Sequence, residues 1–200
     1  MSTIDARLDE LAALSDGWLD GEGLAPTPHA IATARAVLRL LPGARPHLFP
    51  TPDGEVSAAQ IERVAQRLVR ARPALWRIVV VHQPVAVTRA TDQHNVLHGH
   101  EAAVRRWAAA GADLVVGGHI HLPFVLPLHE RWTGLQRALW AVQAGTAVSD
   151  RVRAEVGNSV NVLRLAAMPR HGVVERWDHI AASERFERVA AHALSSADGP

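Results

Sequence analysis

Two stretches decide the fold: Arg77–Pro84 (RIVVVHQP) and Gly111–His121 (GADLVVGGHIH). In each, a short unbroken apolar run, Arg77 to Val81 and then Asp113 to Val116, has the length and composition of a strand covered on both faces. The segment between them, about Gly99 to Ala110, reads as a helix ended by Gly111. Strand, crossover helix and strand together form a parallel unit. Both strands end in histidine, His82 after the first and His119 and His121 after the second. In open sheets ligands bind beyond the carboxyl ends of the strands, so parallel neighbours would bring all three imidazoles to one edge. Gly117 and Gly118 permit an abrupt exit from the strand. Neutral imidazoles suit zinc, iron or manganese, although a His-x-His pair also occurs on ordinary polar loops and His82 also reads as a hydrogen-bonded strand end.

Working outward, Ser57 is placed to cap a helix whose stripe is Ile61, Val64, Leu68 and Val69, closed by Arg72-Pro73. Downstream, Phe124 to Leu128, Ala138 to Gln143, Ser159 to Leu165 and Val173 to Trp177 have strand length, with turn residues between them. They predict a mixed or antiparallel sheet. The stretch from Ala181 to about Val189 reads as a helix, and residues 190–200 read as a flexible tail. Before Ser57, Leu8, Leu11, Leu14 and Trp18, then Ile31, Ala34, Val37, Leu38 and Leu41, recur at helical spacing. His47 to Val56 reads as two short strands around Pro52-Asp53-Gly54. Residues 1–56 are therefore expected to form a small α+β appendage, with a boundary near Ser57.

Composition narrows the chemistry. The chain has 200 residues, 48% hydrophobic and 20% charged, with a formal net charge of +1; one main core is expected, and no polyanion partner such as nucleic acid is indicated. Without cysteine there is no disulfide, thiolate ligand or cysteine nucleophile, so any metal relies on histidine and oxygen. No apolar run approaches the roughly 20 residues that span a bilayer, and Met1 to Glu10 lacks a signal pattern. The reading is a cytoplasmic protein without a membrane partner.

The stretches VVVHQP (Val79–Pro84), GADLVVGGHIH (Gly111–His121), WAVQAGTAVSDRVR (Trp140–Arg153) and GNSVNVLRL (Gly157–Leu165) resemble, in order and spacing, the later half of calcineurin-like metallophosphoesterases. The resemblance covers about residues 57–189 and implies an α/β fold, part of an α/β/β/α sandwich. It implies a hydrolase of phosphoric esters that uses one or two divalent ions, Mn, Fe or Zn. By the same resemblance His82 and His119 would bind one ion and His121 the other, with Gly117, Gly118 and Thr146 at the site rim. Thr146, Ser149 and Asp150 also read as a plain turn.

The family's early motifs, Asp-x-His, Gly-Asp-x-x-Asp and Gly-Asn-His-Asp or Glu, are missing before His82. Asp92-Gln93-His94 matches the first by letters but comes after His82 in a loop and reads as chance. A bridging carboxylate offsets the repulsion of two ions about 3.5–4 Å apart, so its loss predicts impaired catalysis. Two alternatives remain open: a non-catalytic, truncated fusion serving as a binding or assembly module, with a homo-oligomer or partner covering exposed sheet, and a mononuclear metal-binding protein. His98 and His100 read as caps, Arg105 and Arg106 as a solvated helix face, and the tryptophans Trp76, Trp107, Trp132, Trp140 and Trp177 as packing residues.

Overall fold

The computed structural model describes residues 54–72, 74–153, 156–166 and 171–195. The helices and strands expected before Gly54 and the last five residues lie outside the described residues. The chain divides into two units, Met1–Pro52 and Asp53–Pro200. That division falls ahead of Ser57 because Gly54 to Val56 are bonded into the second unit: Val56 is buried, its N–H donates to His98 C=O at 3.0 Å, and His98 N–H donates to Gly54 C=O at 2.8 Å.

In the second unit, helix α1 spans Ala58–Arg70. Ser57 opens it with a reciprocal cap: Ser57 Oγ accepts from Gln60 N–H at 3.3 Å and Gln60 Oε1 accepts from Ser57 N–H at 2.8 Å. Strand β1 (Ile78–Val80), a 3-10 helix (Ala90–Asn95) and helix α2 (His100–Ala109) come after it. Gly111 ends α2 in the left-handed region (φ 94°), where glycine carries no Cβ penalty. Strands β2 (Leu114–Gly117) and β3 (Phe124–Pro127), a single helical turn α3 (Leu128–Arg131) and strand β4 (Trp140–Gln143) come next. The chain then forms β5 (Ser159–Ala166), β6 (His171–Ile180) and β7 (Arg185–Leu194).

The fold is α/β, with one mixed sheet and one antiparallel sheet. The first has strand order β1-β2-β4-β3; β1, β2 and β4 are parallel and β3 runs antiparallel to β4. The second is the meander β5-β6-β7. Alternation along β2 explains the layers. Val115 joins Ile61, Ala65, Leu68, Val104 and Trp107 in a core between the first sheet and α1 and α2. Leu114 joins Val142, Val174 and Leu194 in a second core between the two sheets, with Val116, Leu163 and Leu165 packed against it. The expectation of strands covered on both faces is met at β2. Trp107 ties the helices together: it is 1% exposed and its Nε1–H donates to Ile61 C=O at 3.2 Å. Arg106 reaches across to Glu62 at 2.8 and 2.9 Å, an ion pair on the solvated face that was expected, with side chains 38% and 47% exposed.

Three expectations are corrected. The stretch read as a helix from Ala181 is instead a turn followed by strand β7, which continues to Leu194 through the start of the expected flexible tail. The free backbone groups of β6 offer a ten-residue ladder, and tertiary pairing overrides the helix propensity of an alanine-rich segment. Val69 is 62% exposed and does not join the stripe of α1. Asp92, placed by the sequence in a loop, lies instead in the 3-10 helix and is 3% exposed.

The outer face of the second sheet carries a polar hub. Glu175 is 4% exposed and takes Arg164 at 3.1 Å, Arg188 at 2.9 Å and Trp177 Nε1–H at 3.2 Å. These donors hold its carboxyl below the usual carboxylate range, Arg164 contributing most. No helix among the described residues is long and apolar enough to cross a membrane.

Candidate metal centre

The parallel ladder of β1 and β2 runs past the strands themselves. Val81 N–H donates to Val116 C=O and Gly118 N–H donates to His82 C=O, both at 2.9 Å. His82 and Gly118 are therefore backbone neighbours, and the residue after Gly118 emerges beside the His82 ring. His82 Nε2 and His119 Nδ1 are 3.0 Å apart; the rings meet edge to face, centroids 4.9 Å apart and planes at 69°. One of the two nitrogens carries the proton and the other accepts it.

The backbone pays a conformational cost to present these rings. His119 (φ 72°) and His121 (φ 55°) both occupy the left-handed region, which costs a side-chain-bearing residue about 1–3 kcal/mol. Several contacts impose that conformation. Ile120 N–H donates to Gly118 C=O at 2.8 Å, and the buried Gln143 donates Nε2–H to the same carbonyl. The Ile120 side chain is 5% exposed, packed with Val87, Val96, Leu122 and Val156. An anchored isoleucine thus separates two histidines on a tight turn.

His121 Nδ1 lies 2.5 Å from Arg151 C=O. A carbonyl only accepts, so Nδ1 bears the hydrogen, and in the neutral ring Nε2 keeps its lone pair. This is the tautomer that a metal-bound histidine takes when a backbone carbonyl orients its far nitrogen. Burial, and then the positive potential of His121, Arg151 and His94, lower the His119 pKa below the ordinary histidine value and favour its neutral form.

The three expected ligands are thus arranged as a pair and a neighbour. His82 and His119 are in contact, whereas His121 is engaged by Arg151. The 3.0 Å between His82 Nε2 and His119 Nδ1 is a hydrogen-bond distance. Among the described residues no group of three or more histidine, cysteine, aspartate or glutamate side chains that could hold a metal ion is found.

Gly117 and Gly118 lie beside the pair: a Cβ on Gly117 would approach Gln143 Oε1 to 2.7 Å, and one on Gly118 would come within 3.8 Å of His82 C=O. Thr146 is built into its own turn. Its Oγ1 accepts from Ser149 N–H at 3.2 Å, and its C=O accepts from Ser159 N–H at 2.8 Å and Asn158 Nδ2–H at 3.3 Å. Asn161 Nδ2–H donates to Gln143 C=O at 2.9 Å and links the two sheets. Sequence reasoning missed Gln143, Arg151 and Arg153 as supports of the histidine turn. Their only signal is position, Gln143 at a strand end and the arginines in the stretch after it.

No family model and no curated protein matches the chain. Six chains of solved structures match it. One is a single mutant of Vps29 from Entamoeba histolytica, 16% identical, covering 70% of this chain and 94% of that chain with a TM-score of 0.30.

Proposed function

We propose that the chain is a metallophosphoesterase-like protein whose hydrolytic centre is impaired and whose remaining histidine edge takes one divalent ion, Mn, Fe or Zn. The observation that carries this reading is the 3.0 Å approach of His82 Nε2 to His119 Nδ1 at the ends of two parallel strands. His82 and His119 would hold the ion, with His121 beside them in the tautomer that leaves Nε2 open. A bound divalent ion supplies positive charge against a phosphoryl oxygen. The residues themselves orient the rings, burial favours the neutral form of His119, and the edge stays open to solvent. The described residues gather no carboxylate beside the pair, which favours binding over turnover and sets the phosphoric ester as a ligand or a slow substrate.

The test is metal content by mass spectrometry after loading with Zn or Mn, with turnover of bis(p-nitrophenyl) phosphate measured in parallel. About one ion per chain with weak or undetectable turnover is expected. Two ions per chain with rapid turnover would overturn the impaired centre, and a chain that binds none would overturn the metal edge. The second reading, a non-catalytic binding or assembly module, is favoured by the same lack of a converging carboxylate; it predicts a folded, metal-free and inert protein in that experiment.

A further inference from the structure

We infer that Asp92 and Arg153 form a clamp that sets the His119–His121 turn, with Asp92 a positioning residue that acts through Arg153. Arg153 divides its guanidinium between two tasks. Its Nε–H donates to Ile120 C=O at 2.9 Å, the carbonyl between the two left-handed histidines, and its Nη2–H donates to Asp92 Oδ1 at 2.6 Å. The Asp92 side chain is 4% exposed and that of Arg153 31%.

A carboxylate this buried needs a cationic partner, and removing one member of such a pair leaves the other uncompensated. The planar fork of arginine transmits that constraint, because fixing Nη2 fixes the plane in which Nε points. The same short stretch holds the turn a second time through Arg151 C=O and His121 Nδ1. Arg151 and Arg153 therefore grip Ile120 and His121 in succession, and Asp92, from the 3-10 helix after β1, sets the second grip. Asp92 Oδ2 is buried without a hydrogen-bond partner among the described residues, so this carboxylate's bonding is directed at the clamp. The inference concerns the metal-free turn and does not depend on the hydrolytic reading.

The test uses the full-length, 15N-labelled chain treated with chelator, reading ring 15N and Cε1–H resonances of the histidines at one fixed pH. Asp92→Asn is expected to move the His119 and His121 signals while those of His100 and His129, bonded to carbonyls elsewhere, stay in place. The control is Asp113→Asn, which disrupts a second buried ion pair, Arg137 with Asp113 at 2.8 Å, at the opposite end of β2. It is expected to lower thermal stability and leave the His119 and His121 signals where they are. Should Asp92→Asn fail to fold, Arg153→Lys decides the matter: it keeps the charge and loses the fork, and is expected to move the same two signals. Unmoved signals in a folded Asp92→Asn or in Arg153→Lys, or equal movement in Asp113→Asn, would overturn the clamp.

Discussion

A Cβ on Gly145 would lie 1.9 Å from the Oγ of Ser159. The strand end after β4 and the start of β5 are thus locked by a hydroxyl that fills the place of a side chain. That hydroxyl is buried and has no hydrogen-bond partner among the described residues. Gly145→Ala is expected to destabilise the protein by about 1–3 kcal/mol through overpacking, and Ser159→Ala alone to be nearly neutral. The double substitution should recover part of the loss, because Ser159 Cβ stands back at 3.3 Å. A double-mutant cycle in urea measures the coupling; strict additivity would contradict the contact.

Removing either imidazole of the pair should have the same consequence. His82→Ala and His119→Ala are each expected to abolish stoichiometric Zn binding, measured by calorimetry, whereas His121→Ala should weaken it by roughly tenfold, the size of effect that neighbouring groups exert on a metal site. Unchanged affinity in His119→Ala would contradict a shared ion at the 3.0 Å pair.

Trp107 should be the largest single contributor to the helix layer. Trp107→Ala is expected to cost about 3–5 kcal/mol, from a side chain 1% exposed. Trp107→Phe keeps most of the apolar volume and gives up the bond to Ile61 C=O, so it should cost about 1–2 kcal/mol. Urea midpoints at unchanged slope would check both.

The Glu175 hub predicts an acid-sensitive second sheet. Its folded pKa is lowered by Arg164, Arg188 and Trp177, so the stability it contributes is present above the unfolded glutamate value, about 4.3. It is lost as pH falls through the folded value. Glu175→Gln is expected to flatten the dependence of Tm on pH below that point, followed by circular dichroism between pH 6 and 3. An equal slope in both proteins would show that the hub contributes nothing in acid.

The sequence made legible whatever rests on local pattern. The runs ending at His82 and His119, the serine cap of α1 and the glycine after α2 each have a local physical cause, and each is found in place. What it concealed depends on distant partners. The segment RFERVAAHAL (Arg185–Leu194) has helical composition, and the backbone of β6 decides otherwise. Asp92 has no local signal of burial, since its partner Arg153 lies 61 residues onward. The pairing of His82 with His119 comes from strand order, whereas the bond of His121 to Arg151 depends on the path of a loop that periodicity does not encode.

The pairing of β6 with β7 jumps from Arg176 opposite Ala190 to Trp177 opposite Arg188, so Val189 has no partner across the ladder. Among the described residues no strand lies on the far side of β7, which leaves this irregular edge as the rim of the sheet. A bulge at that position breaks the rim into two short, mutually twisted segments, Arg185–Arg188 and Ala190–Leu194. The bulge therefore interrupts the register that an incoming strand would follow along this edge, a feature that disfavours edge-to-edge pairing.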